Sequence, residues 1–289
     1  MKPPAFDYIV ASDCDTAVAA LARAGADAKI LAGGQSLMPM LNFRLLRPSI
    51  LVDINRIPGL GFIEEMPDSV RIGALTRHFQ LETSPLIGKH FPVLSYAVAH
   101  VGHLAIRNRG TIGRSLSHAD PAAELPMMAL LLGATLSIAS AAGSRTVAAR
   151  DFFLDTMTVD LDGTELLTEI VLQKLPPQTG WGFEEIVRRQ GDFALAAVAA
   201  TLTLSGNEIV QARIALTGVG PTPLRAAEAE SLLVGHAFDE SRRRRAIEAV
   251  REAISPETDL HASADLRRHL AGVLTGRALA AAWRRGRGG

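Results

Sequence analysis

Lys29-Ile30-Leu31-Ala32-Gly33-Gly34-Gln35-Ser36-Leu37 is the stretch on which the reading of this chain turns. Lys29 to Ala32 has the pattern of a short buried strand and runs straight into two glycines. A glycine pair there lets the main chain turn sharply and brings successive N–H groups close to an anion. Gln35 and Ser36 add side-chain donors, so the segment has the parts a pyrophosphate needs. A plain tight turn would use the same residues, and the G-x-G-x-x-G spacing of a Rossmann fold is missing.

Strand and helix signals alternate on either side of it. Phe6 to Val10 reads as a strand, and Thr16 to Ala24 as a helix capped by Ser12 or Asp13 and stopped by Gly25. Ile50 to Ile54 and Arg71 to Ala74 are further strands, with Thr76 expected to cap the next element. A helix over 93–100 leads into a glycine-rich stretch, 102–113. Within and just after it, Gly110-Thr111-Ile112-Gly113-Arg114-Ser115 offers a second set of small residues and hydroxyls, expected to have free main-chain N–H groups. Two such loops would grip the two phosphates of a dinucleotide. Asp120-Pro121 has the form of a helix start, a cap followed by proline at the first helical position. Asp120 would either cap that helix or accept a hydrogen bond from a ligand hydroxyl.

Strand-like runs at 134–139 and 145–148 precede Pro176-Pro177-Gln178-Thr179-Gly180, the best domain boundary on composition. Beyond it, 183–189, 194–204 and 209–217 look like three antiparallel strands, followed by helices over 224–234, 240–253 and 264–283. Gly218 to Pro223 resembles a phosphate loop, but its two prolines remove donors and make it a turn. The predicted class is α+β, with domains at 1–176 (subdomains about 1–55 and 56–176) and 180–285.

Composition narrows the function. Of 289 residues, 30 are Lys or Arg and 30 are Asp or Glu, so the formal charge is zero. A nucleic-acid or membrane-surface protein would normally carry a positive surplus. Arg242 to Arg245 reads as the solvated face of a helix, and the acidic pairs Glu64-Glu65 and Glu184-Glu185 as solvent-facing. The single cysteine, Cys14, rules out an intrachain disulfide and any iron–sulfur cluster or zinc site built from this chain's thiolates. His100 and His103 lack a third ligand nearby and read as core or capping residues. No transmembrane stretch is evident, and the start lacks the plan of a secretory signal, so a cytoplasmic location is expected.

Five segments together, AGGQSLMPMLNFRL (32–45), IRNRGTIGRSLSHADPAAELP (106–126), RRQGDFALAAVA (188–199), GVGPTPLRAAEAE (218–230) and DLHASADLRRHLAGVLTGRAL (259–279), resemble the FAD-binding medium subunits of the molybdenum hydroxylases, the xanthine dehydrogenase and aerobic carbon monoxide dehydrogenase family. The resemblance covers essentially the whole chain. It implies a two-subdomain FAD-binding fold of the vanillyl-alcohol-oxidase (PCMH) type, followed by a carbon monoxide dehydrogenase flavoprotein-like C-terminal domain of a three-stranded sheet and three helices. It places Ala32, Gly33, Gly34, Gln35, Ser36 and Leu37 in one FAD-binding segment and Thr111, Ile112, Gly113, Arg114 and Ser115 in the other, with the diphosphate between them. Lys29, Ile30 and Leu31 would approach the flavin or its linker, Asp120 a cofactor hydroxyl, and Leu166 and Leu167 the adenine or flavin rings. Three positions depart from the family's pattern: Arg114 replaces a second glycine, Glu184-Glu185 falls where a lysine is frequent, and Phe193 replaces a tyrosine.

The family divides its work. The resemblance implies noncovalent FAD on this chain, molybdopterin on a large partner subunit, two [2Fe–2S] clusters on a small one, and a dimer of heterotrimers. No catalytic residue and no metal site is expected here. Two other readings stand beside it, a self-sufficient flavin oxidase of the vanillyl-alcohol-oxidase type and a scaffold subunit without flavin. The visible spectrum of the purified chain separates all three.

Overall fold

A computed structural model describes residues 2–288. The first subdomain is a three-stranded parallel sheet, with Ile50–Asp53 between Asp7–Val10 and Ala28–Leu31. Helix Cys14–Ala24 crosses between the outer strands and buries Ala17, Val18, Ala20 and Leu21 against them. Asp13 starts this helix by accepting the Thr16 N–H at 2.7 Å, and Gly25, at φ 58°, ends it.

The second layer is a five-stranded antiparallel sheet ordered Ile63–Glu65, Ser69–Gly73, Leu166–Gln173, Thr135–Ser140, Gly143–Ala148. Its central strand, Leu166–Gln173, comes from a segment for which the sequence suggested only ligand contacts. Short helices cover one face, among them His78–Thr83, Pro92–Val98, Ile112–His118 and Glu124–Leu132. The third layer pairs Thr179–Val187, Ala194–Ser205 and Glu208–Thr217 antiparallel, as expected, and adds the short strands Leu224–Arg225 and His236–Ala237. Helices Glu240–Ala253 and Ala264–Gly286 cover it. The longer one lies so close to the first strand that a Cβ at Gly180 or Gly182 would fall 1.9 or 2.0 Å from its main-chain oxygens.

Two expected helix starts are corrected. Thr76 does not cap a helix: its hydroxyl donates to the Phe62 carbonyl at 2.8 Å, and Arg77 is the residue before helix His78–Thr83. Asp120-Pro121 does not open one either. One Asp120 carboxylate oxygen accepts the Ala122 N–H at 2.9 Å, which folds 120–123 into a turn, and the helix begins at Glu124. The helix expected over 224–234 is shortened to Ala227–Ser231.

Candidate functional site

The two glycine-bearing segments meet. A Cβ on Gly33 would stand 2.2 Å from the Arg109 carbonyl oxygen, and one on Gly110 would stand 2.8 Å from the His78 ring. Only glycine permits that apposition. A polar clamp holds it: Arg77 donates to the Arg109 carbonyl and, at 2.8 Å, to Asn55 Oδ1. Asn55 Nδ2 in turn donates to the Ala32 carbonyl at 2.8 Å.

The segments differ in what they leave free. Among the described residues, no hydrogen bond within the fold takes the N–H groups of Gly33, Gly34, Gln35 or Ser36. The Gln35 side chain folds back to the Gly33 carbonyl at 3.1 Å. The second segment corrects the expectation of free main-chain donors. Ile112 N–H goes to Thr76 O at 3.1 Å, Gly113 N–H to Ala74 O at 2.9 Å, and Ser115 N–H to Thr111 O at 3.1 Å. Arg114 N–H goes to the Thr111 hydroxyl oxygen at 3.4 Å, the cap of helix Ile112–His118. What remains to a ligand on this side is the Thr111 N–H, the Arg114 guanidinium and the Ser115 hydroxyl.

Arg114 lies between two cavities and lines both, as does Thr111. One, of about 330 Å³, has Lys29, Ile30, Leu37, Leu166 and Leu167 on its walls. The other, of about 210 Å³, has Gln35, Ser36, Ser115, Asp120, Glu124 and Phe193 on its walls, and Gly33 and His78 reach it too. Ala32 and Gly113 belong to the first. Leu31 and Gly34 instead line a separate recess with Asp53 and Asn55, because strand alternation turns Leu31 away from its neighbours. Ile112 is buried in the core and lines neither.

Unpaired polar atoms gather around the smaller cavity. Arg114 Nε is fully enclosed without a partner, and burial lowers the guanidinium's pKa. Among the described residues neither ring nitrogen of His78 makes a well-formed hydrogen bond, and burial, opposed by the Thr111 main chain and aided by Arg107 and Arg77, lowers its pKa to about 4. Fold-internal partners normally satisfy such groups, and orphans around a cavity mark where a ligand's polar atoms fit.

Family comparison decides which ligand. The family described as the FAD binding domain in molybdopterin dehydrogenase matches residues 4–174, and the CO dehydrogenase flavoprotein C-terminal domain matches 181–282. The chain belongs to the FAD-binding subunits of the molybdopterin dehydrogenases. Within that family it is 42% identical over 288 residues to the 6-hydroxypseudooxynicotine dehydrogenase complex subunit alpha of Paenarthrobacter nicotinovorans, covering 99% of this chain and 97% of the relative. It is 39% identical to the carbon monoxide dehydrogenase medium chain of Hydrogenophaga pseudoflava, covering 99% of each. A solved carbon monoxide dehydrogenase from H. pseudoflava superposes with a TM-score of 0.97 at 40% identity, covering 99% of each chain. Quinoline 2-oxidoreductase from Pseudomonas putida 86 superposes at 0.94 and 42%, again covering 99% of each.

FAD is the cofactor of this domain family, and the residues present fit it. Unpaired main-chain donors at Gly33, Gln35 and Ser36 line the same cavity as a guanidinium with an unused N–H, and that guanidinium also reaches the second cavity. That is the donor set a diphosphate with a ring system at each end requires.

Sequence reasoning missed Asn55, Arg77 and His78, whose roles arise from contacts across the fold. It also misplaced Glu185. Expected in solvent, this carboxyl is half-buried with Oε1 fully enclosed. It lies beside Glu124, itself only 4% exposed. Burial raises Glu124, with repulsion from Asp120 added, and burial together with the charge of Glu124 raises Glu185, both above the ordinary carboxylate range. One signal was readable: Glu124 is the lone charge at the head of the apolar run Leu125 to Leu132.

Proposed function

We propose that this chain is the FAD-carrying electron-transfer subunit of a heterotrimeric molybdenum-containing hydroxylase. It would take electrons from the [2Fe–2S] clusters of a small partner subunit and pass them to an external acceptor, while a large subunit holds molybdopterin and oxidises the substrate. A dimer of such heterotrimers in the cytoplasm is the assembly we favour. The observation that carries the reading is the run of unpaired N–H groups from Gly33 to Ser36, of which Gly33, Gln35 and Ser36 line the same cavity as Arg114 with its unpaired Nε.

Under this reading Gly33 to Ser36, Arg114 and Ser115 hold the diphosphate, and Asp120 accepts from a cofactor hydroxyl. The cavity with Lys29, Ile30, Leu166 and Leu167 suits the adenine end, since its walls are mainly apolar. The cavity with His78, Asp120, Glu124 and Phe193 suits the isoalloxazine, whose polar edge needs both donors and acceptors. Phe193, 60% exposed at its mouth, shields the ring without sealing it from a partner. Bound FAD supplies the one- and two-electron chemistry that links clusters to an acceptor. The chain's own residues position it and set its electrostatic surroundings.

The test uses the purified chain alone and then with its partners. It should be yellow, release FAD on acid treatment, and bleach with dithionite. Aldehydes, purines and N-heterocycles should leave the flavin oxidised until the large and iron–sulfur subunits are added. Bleaching by substrate without partners would overturn the electron-transfer role in favour of a self-sufficient oxidase, and a colourless chain that takes up no FAD would favour a scaffold.

A further inference from the structure

Glu124 and Glu185 lie 61 positions apart and meet where the FAD-binding half joins the C-terminal sheet. Glu124 is the first residue of helix Glu124–Leu132, all nine residues of which are buried. Glu185 comes from strand Thr179–Val187, opposite Ala197 of the neighbouring strand, which brings no charge. Glu124 lines the smaller cavity directly.

Among the described residues, neither carboxyl is in an ion pair. The charged and titratable groups nearby do not supply one. Asp120, just before the helix, repels Glu124. Arg114 and His118 of helix Ile112–His118 line the cavity without bonding either acid. Tyr96 and His100, from the Pro92–Val98 helix and its end, pack on Phe183. Arg213 binds the Leu131 carbonyl at the far end of the Glu124 helix. Arg285 of the C-terminal helix stacks on Trp181, and Arg267 of that helix binds the Leu195 carbonyl.

Two ionised carboxylates have only acceptors to offer each other. With both charged, the enclosed Glu185 Oε1 has no donor at all. A proton on one of them turns the contact into a hydrogen bond and removes one buried charge. The same physics makes two adjacent acids in other proteins titrate as one unit.

We propose that Glu124 and Glu185 share one proton across this junction, and that the pair, whose Glu124 lies on the wall of the cavity assigned above to the isoalloxazine, makes the reduction potential of bound FAD fall as the pair ionises. The second half rests on that assignment. While the proton is held the pair carries one negative charge; after its loss it carries two, and a second negative charge beside the cavity disfavours adding electrons there. The proton-sharing half stands without any cofactor.

The test compares wild-type chain with Glu185→Gln, in which an amide N–H can donate to Glu124 and the pair can never carry two charges. Glu124→Gln serves as the second variant should the first fold poorly. Thermal midpoints of apoprotein are followed across pH, and the midpoint potential of FAD-loaded chain by spectroelectrochemistry. Wild-type apoprotein should lose stability as the pH rises from about 4.5, where the unfolded carboxyls ionise, to about 8, where the folded pair does, and either variant should flatten that loss. The wild-type potential should fall more steeply with pH than the variant's over the same range. Parallel stability curves would overturn the shared proton. Flattened stability with parallel potentials would show the pair away from the flavin and overturn the second half. A chain that binds no FAD would sink the cofactor reading and that half with it, while the apoprotein curves still decide the first.

Discussion

The carbonyl oxygen of Arg109 occupies the space where a side chain at Gly33 would begin, 2.2 Å from the position a Cβ would take. That contact joins the two segments of the FAD-binding domain, and it separates the roles of two adjacent glycines. Gly33 is required by proximity. Gly34 is required by conformation, with φ of 76°, since a methyl group there would meet only ordinary contacts, 3.4 Å to Met38 Cγ.

Gly33→Ala is therefore expected to force the segments apart and give a chain with little bound FAD, whereas Gly34→Ala should cost about 1–2 kcal/mol of conformational strain and keep much of its cofactor. FAD content by absorbance, alongside circular dichroism to confirm folding, checks the ranking. Equal FAD occupancy in the Gly33 variant and wild type would refute the apposition.

Arg114 carries an unused donor in an enclosed position. If it meets the diphosphate, Arg114→Met should weaken FAD binding by roughly 10- to 100-fold, the range of hydrogen bonds to charged groups. Because its Nε is enclosed, that loss should depend less on salt than a surface ion pair would. The apoprotein should become more stable, since a desolvated cation is removed. Titration of apoprotein with FAD at two ionic strengths, plus melting curves without FAD, tests both halves. Unchanged affinity would place the diphosphate elsewhere.

His78 sets an acid limit. Its folded-state pKa, about 4, lies below the unfolded value of about 6.5, so its neutral form is favoured in the folded chain. A depressed value means stability is fully present above about pH 6.5 and is lost as the pH falls toward 4, by no more than about 3 kcal/mol. His78→Gln, uncharged throughout, should show a shallower loss over that interval in apoprotein melting curves. An unchanged slope would mean that another group governs acid unfolding.

Gly182 tests the C-terminal layer. Its would-be Cβ lies 2.0 Å from the Ala278 carbonyl oxygen, so Gly182→Ala must push helix Ala264–Gly286 off the strand. A loss of several kcal/mol is expected, in line with overpacking at a backbone contact. Denaturant melts of the full chain measure it, and a change below about 0.5 kcal/mol would contradict the close approach.

Local chemistry was legible in the sequence wherever neighbours along the chain decide the structure. Asp13 and Gly25 bracket their helix as read. The three long C-terminal strands pair antiparallel as expected, and helix Glu240–Ala253 has the bounds read for it. The order and spacing of the five family segments likewise sufficed for the family, which matches across both domains. Asp120 shows where local reading fails: cap and turn use the same side-chain oxygen on a nearby N–H, and the chain's path beyond Pro121 chose the turn.

What only the tertiary structure decided is which polar groups find partners. Thr111 to Ser115 look as donor-rich as Gly33 to Ser36, yet the carbonyls of Ala74 and Thr76 take two of their N–H groups and the segment's own Thr111 takes two more. Glu185 looks like a surface acid until the strand carrying it is laid beside the buried head of the Glu124 helix. A side chain's type and sequence neighbours fix what it can donate or accept. Which atoms lie within hydrogen-bond reach of it, and whether water reaches them, depends on segments far apart in the chain, and these set the free donors at Gly33 to Ser36 and the raised titration of Glu124 and Glu185.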